Sequence, residues 1–246
     1  MTGLAIIGGS GFTSIKELKI VKREIIRTPF GETSAPLTYG ILGDHKFVFL
    51  PRHGAAHTIP PHKVNYRANL WALSHIGIEK IVAVAAVGGI RKDMLPGSIA
   101  IPDQIIDYTY GRANTFYEDD LTHVTHIDFT EPYTESLRQG LLKAAEALNL
   151  DIIANGTYGA TQGPRLETAQ EINKLERDGC DLVGMTGMPE AALARELNLS
   201  YACCAVVANW GAGRNHGPIL MTEIDKNLSG GMEKVKELLS ILPSYI

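Results

Sequence analysis

Five side chains able to grip an anion or read a planar base stand at five turns of this chain: Ser10, Arg52, Glu167, Thr186 and Asn209. Most of these turns follow an apolar run that reads as a strand. Ser10 lies in "IIGGSGF", where glycines let backbone N–H groups approach an anion and the hydroxyl adds a donor. The pattern is neither G-x-G-x-x-G nor a P-loop, so a plain tight turn is an equal alternative. Arg52 and His53 directly follow "FVFLP". Ligands of open α/β sheets bind at strand carboxyl ends, and arginine suits a phosphate through its paired N–H groups. Glu167 falls near the start of a helix in "GPRLETAQE", where a capping or helix-dipole carboxylate is an even alternative. Thr186, before "GMPEAALARE", fits an N-cap or a ligand hydroxyl. Asn209 ends "YACCAVVAN", and its amide has up to four hydrogen bonds to satisfy at the end of a core strand. Its alternative is a turn-former.

Where strands are parallel, such turns converge on one edge of the sheet. The set then offers one anion-binding group and two groups suited to a heterocycle, with no nucleophile–base pair. His53 and His57 have an H-x3-H spacing, but the stretch is rich in Gly and Pro and no Glu follows His53, so no metal is expected. His123 and His126 form a similarly loose pair. His45, His62, His75 and His123 read as surface or structural.

Positioning these turns takes an alternation of strands and helices. "LAIIGGSG", "IVKREIIR", "FVFLP", "GSIAIPDQIIDYT", "DIIANGTYGATQ" and "DLVGM" read as strands, and "EKIVAVAAVGG" as a strand buried on both faces. "KVNYRANLWALSHIG" predicts a helix with Val64, Ala68, Trp71 and His75 on one face. Further helices are predicted over "TESLRQGLLKAAEALNL", "LETAQEINKLERDG", "MPEAALARELN" and "MEKVKELLSILPSYI". Such alternation in the second half suggests a largely parallel, doubly covered sheet. With no linker, repeat or composition shift, residues 1–246 read as one domain.

Composition narrows the class. A net charge of −4 leaves no electrostatic footprint for nucleic acid, so phosphate recognition must be local. Apolar runs are strand-length, short of the roughly 20 residues that span a bilayer. No signal peptide is legible at the N-terminus. Three cysteines, two of them adjacent in an apolar run, point to a reducing cytoplasm.

Together, "IIGGSGF", "TPFGETSAP", "RHGAAHTIPPHKVNYRANLWAL", "LPGSIAIPDQIID", "GPRLET" and "MTGMPEAALARELNLSYACCAVVAN" resemble the trimeric purine nucleoside phosphorylase and methylthioadenosine phosphorylase family, in order and with the expected separations. The resemblance implies an α/β phosphorylase fold around a mixed central sheet flanked by helices. It implies a homotrimer and attack of inorganic phosphate, as co-substrate, on C1′ of a purine nucleoside, without a metal or organic cofactor. Residue by residue, Ser10, Arg52, His53, Thr186 and the backbone at Ala86 match phosphate-binding positions. Met185 matches the residue under the ribose, and Glu167 and Asn209 the pair that reads a 6-oxopurine. His126 matches a position that reaches the neighbouring subunit's 5′ pocket. The methylthioadenosine branch usually has a threonine where this chain has Ala85, a hydroxyl residue at Gly187, and aspartates at Asn209 and Gly211. Yet "HTIPPHKVNYRAN" resembles that branch more than the ordinary nucleoside branch.

An amide aimed at N7 or O6 stabilises the charge a leaving purine gains. Glu167, an acceptor, takes the N1–H of hypoxanthine or guanine but faces a lone pair in adenine. For the 5′ group, His216 offers a polar partner to a hydroxyl, and Ile219, Leu220, Met221 and Ile224 an apolar wall to a thioether. The expectation is phosphorolysis of S-methyl-5′-thioinosine to hypoxanthine and 5-methylthioribose 1-phosphate, in purine salvage. Inosine/guanosine and methylthioadenosine phosphorolysis are the alternatives. A nucleotide-binding oxidoreductase fails on its glycine pattern.

Overall fold

The computed structural model describes residues 3–10, 18–119, 122–215 and 217–246. Its strands are β1 (Leu4–Gly8), β2 (Lys19–Glu24), β3 (Leu37–Leu42), β4 (His45–Pro51), β5 (Lys80–Gly89), β6 (Ile99–Ala100), β7 (Gln104–Asp107), β8 (Ile152–Ile153), β9 (Thr157–Ala160), β10 (Leu182–Gly184) and β11 (Ser200–Trp210). Its α-helices are α1 (Tyr66–His75), α2 (Glu135–Ala147), α3 (Ala169–Arg177), α4 (Gly187–Glu196) and α5 (Met221–Ile241). The strands join in one mixed sheet of order β2-β3-β4-β1-β5-β10-β9-β7, with β11 on β5 and β6, and β8 on β6. Among the described residues no helix is long and apolar enough to cross a membrane.

β5 and β11 pair in parallel at the centre. Their uninterrupted apolar runs still alternate with the strand period of two. Ala83, Ala85, Cys203 and Ala205 face the core under α1 and α4, whereas Val82, Val84, Cys204 and Val206 face the core under α2 and α5. A smaller cluster of Ile172, Leu175 and Val183 seats α3.

On its other side β5 changes partner. β1 runs parallel to Lys80–Ala83, and β10 runs antiparallel to Gly88–Gly89. Between them the stretch Val84–Val87 faces an opening in the sheet. β9 and β7 continue parallel to β10. The sheet is therefore mixed about β5, and the strand ends do not all point to one edge. Those of β1 and β4 reach the opening from one direction, that of β10 from the other.

Several predicted elements differ. "GSIAIPDQIIDYT" and "DIIANGTYGATQ" each hold two short strands, split at Pro102, which lacks an N–H, and at Gly156. The Gly156 N–H donates to Asp103 Oδ1 at 2.8 Å, so the two breaks hold each other. β3 has no counterpart in the prediction because Gly40 interrupts its pattern; a Cβ there would come within 2.4 Å of Leu18. In α1, Trp71 and His75 stack on each other at 4.6 Å on the outer side. The buried face carries Leu70, Leu73 and Asn69, the last matched to Ser34 by two hydrogen bonds. α5 starts eleven residues ahead of the predicted Met232. Gly230-Gly231 reads as a breaker, but a Cβ at Gly231 would lie 2.4 Å from Val206, so this glycine lets the helix lie close on β11.

Candidate active site

The opening beside β5 widens into a cavity of about 800 Å³. Ser10, Arg52, His53, Ala86, Glu167, Met185, Thr186, Asn209 and Met221 all line it. His126 does not; it is exposed in the loop before α2. His216 lies outside the described residues.

Arg52 follows the last residue of β4 and is 1% exposed. Its charge has a partner 138 residues away that no local pattern announces. Its Nε donates to Glu190 Oε2 at 2.6 Å and its Nη2 to Glu190 Oε1 at 2.7 Å. Tyr201 OH also donates to Oε1, at 2.8 Å. Glu190 is fully buried, so the two charges balance inside the protein. Burial pushes the Arg52 guanidinium down, but the carboxylate outweighs it and the net direction is up. Nη1 donates to the carbonyl of Val84, the residue where the opening begins, at 3.0 Å. Of the five N–H groups an arginine carries, one on Nη1 and one on Nη2 are left over. Gly9 covers this spot: a Cβ there would lie 2.9 Å from Nη1 and 2.6 Å from the Val84 oxygen. Only glycine lets the β1 turn come so near.

His53 Nδ1 lies 2.8 Å from the Ile59 carbonyl, which accepts only, so Nδ1 carries the proton and Nε2 the lone pair. Burial, then the Arg52 charge, pull its pKa down to about 4, so the ring is neutral at pH 7. His57 stacks obliquely on His53 at 4.8 Å and meets Ser10 Oγ at 3.3 Å.

Thr186 is the N-cap residue of α4, yet its hydroxyl makes no cap bond. The Thr186 backbone N–H donates to the Tyr158 hydroxyl oxygen at 3.4 Å. Gly187 has a steric reason, since a Cβ there would lie 2.7 Å from Ile105 and 3.1 Å from Tyr158. Met185 is pressed against Gly163, where a Cβ would come 2.3 Å from its sulfur.

Glu167 is not a cap either. α3 is capped by Thr168 and Glu171 in a reciprocal box. That leaves Glu167 to take the Thr161 hydroxyl on Oε1 at 2.6 Å, with Oε2 to spare.

β11 does not end at Asn209. It runs on to Trp210, and a bulge at Ala208 breaks its register with β5, so that Asn209 rather than Ala208 stands opposite Gly88. The Trp210 carbonyl accepts from Asn209 Nδ2 at 2.7 Å. This fixes which end of the amide is nitrogen and leaves a second N–H and Oδ1 for a ligand. At Gly211 a Cβ would sit 3.2 Å from the Gly89 oxygen and from Ile172, so an acidic side chain there would need its neighbours to move.

Some residues of this site escaped sequence reading. Glu190 sits in the first turn of α4, where a helix-dipole role hides it. Arg112 ties the site's loops together, donating to the carbonyls of Met185, Met188 and Gln162 at 2.8, 2.6 and 2.8 Å. Nothing in "YGRANT" marks it. Asp225 lines the cavity from α5 beside Ile224 and Leu228. Among the described residues no cluster of His, Cys, Asp or Glu could hold a metal ion.

A mixed sheet opened beside its central strand, with paired arginine, hydroxyls, an amide and a carboxylate around one cavity, defines an α/β enzyme of the nucleoside phosphorylase type. The chain belongs to the phosphorylase superfamily, whose sequence profile matches residues 4–242. It is 52% identical to the probable S-methyl-5′-thioinosine phosphorylase of Pseudomonas syringae pv. tomato over 98% of both chains. It is 44% identical to the 6-oxopurine nucleoside phosphorylase of Pyrococcus furiosus over 99% of this chain and 93% of that one. The fold superimposes on methylthioadenosine phosphorylase from Schistosoma mansoni in complex with adenine with a TM-score of 0.92, at 36% identity, over 99% of this chain and 91% of that one.

Proposed function

We propose that this purine nucleoside phosphorylase-type pentosyltransferase cleaves S-methyl-5′-thioinosine with phosphate. The observation that carries the reading is that Glu167 and Asn209 line the same cavity as Ser10, Arg52, His53 and Thr186. Phosphate lies in the opening beside Ala86, taking the two spare Arg52 N–H groups and the Ser10 and Thr186 hydroxyls. Neutral His53 accepts a hydrogen bond on Nε2 from the hydroxyl of hydrogen phosphate. Because Glu190 already balances Arg52, hydrogen bonds rather than net charge hold the anion. A phosphate oxygen bonds to C1′ as the C1′–N9 pair passes into the purine, and proximity supplies much of the acceleration. The free N–H of Asn209 stabilises that charge at N7 or O6, while Glu167 accepts N1–H.

Ile219, Met221, Ile224 and Leu228 give the cavity an apolar wall that suits a methylthio group. Asp225 on the same wall favours a second reading, with a 5′-hydroxyl, as in inosine. The reading extends to a homotrimer in the cytoplasm, in which exposed His126 reaches a neighbour's cavity, and to residues 1–246 as one domain. The test is a panel of purine nucleosides with phosphate, varying the 6- and 5′-substituents independently. Phosphate-dependent release of hypoxanthine, fastest from methylthioinosine, supports the reading; no purine release, or none that depends on phosphate, ends it.

A further inference from the structure

Asn209 can read a base only if the strand end that carries it is held at the bulge. The bulge residue Ala208 turns its carbonyl to α5, where Asn227 Nδ2 donates to it at 2.9 Å. One helical turn further on, Gly231 meets Val206, where no Cβ would fit. Four helix residues rise about 6 Å and two strand residues about 6.6 Å, so the two contacts match in spacing and fix α5 against β11 in one register. The same turns of α5 put Ile224 and Leu228 on the cavity wall. Behind Asn209, Asn227 also lines a small recess with Glu223 and Trp210.

We infer that Asn227 is a positioning residue for base recognition: its hydrogen bond to Ala208 holds the bulge that sets Asn209 opposite Gly88, and ties the base reader to the helix that walls the 5′ end. The inference rests on the reading of Asn209 as the base reader. It assigns Asn227 no contact with phosphate or purine. Disturbing it therefore loosens base selection while leaving phosphate handling intact.

The experiment compares wild type, Asn227→Asp, Asn227→Leu and Asn227→Gln. Asp keeps the shape of Asn but cannot donate to a carbonyl, whereas Gln keeps the donor on a longer arm. Asn227→Asp is expected to lower kcat/KM for methylthioinosine about tenfold, the scale of one lost hydrogen bond. Its preference over methylthioadenosine should fall as well, while the phosphate KM stays within about twofold. Asn227→Gln should recover part of the loss. Calorimetric Kd values for hypoxanthine and adenine with phosphate present supply a second readout that needs no nucleoside substrate. The hypoxanthine preference should shrink in the Asp and Leu variants even if methylthioinosine proves a poor substrate, an outcome that would sink the 5′ assignment and spare Asn227. An unmoved hypoxanthine-to-adenine ratio in Asn227→Asp, or a phosphate KM that rises in step with the nucleoside terms, overturns the positioning role.

Discussion

Arg52 and Glu190 form a buried ion pair at two points, 2.6 and 2.7 Å long, with the two side chains 1% and 0% exposed. Breaking such a pair by removing one partner costs about 3–5 kcal/mol, because the other charge is left buried. Glu190→Gln should lower Tm sharply, and phosphate, entering beside the uncompensated guanidinium, should restore more Tm in the variant than in wild type. A Tm loss with no larger phosphate response would show that Arg52 does not face the anion. Arg52→Ala abolishes activity on this account, but by stranding Glu190 as well as by losing phosphate contacts.

His53 gives a pH signature. Its folded pKa of about 4 lies below the ordinary 6.5, so between these values the unfolded chain binds the extra proton. Its contribution to stability is complete above pH 6.5 and is lost as pH falls toward 4. His53→Asn has no ring to protonate. Urea unfolding of both proteins from pH 7 to pH 4 should show a steeper loss in wild type; parallel curves would contradict a neutral, desolvated His53.

The 5′ wall decides between two nucleosides. A methylthio group against Met221, Ile224 and Leu228 should favour methylthioinosine over inosine by about 10- to 200-fold in kcat/KM. Asp225→Leu should widen that gap by removing an acceptor for the 5′-hydroxyl. Equal rates for the two nucleosides in wild type would replace the methylthio reading with the inosine one.

What the sequence discloses follows from local physics. The continuous apolar runs of β5 and β11 announce buried strands, and glycine-rich turns after them announce room for an anion. Ser10, Arg52, His53, Ala86, Glu167, Met185, Thr186, Asn209 and Met221 line one cavity, with Ile219 and Ile224, whereas His126 and Leu220 do not. Long-range partners leave no such trace. Glu190 is separated from Arg52 by 138 residues, and nothing local says that it is buried. The antiparallel entry of β10, the bulge at Ala208 and the pinning of Ala208 by Asn227 are likewise properties of packed elements. Polar residues hidden by a matched partner mislead a periodicity reading, as Asn69 does in α1, where it displaces the outward Trp71 and His75 from the buried face.

The central claim is that Glu167 and Asn209 together select a 6-oxopurine, and one measurement bears on it most directly: kcat/KM for methylthioinosine and methylthioadenosine, on wild type and on Asn209→Asp. Wild type should prefer methylthioinosine by about a hundredfold or more, since a polar site left mispaired discriminates strongly. In Asn209→Asp the carboxylate repels O6 and accepts the 6-amino hydrogen, so the gap narrows. It does not reverse, because Glu167 still faces the unprotonated N1 of adenine. A wild type that prefers methylthioadenosine, or a ratio that does not move in the variant, would contradict the account.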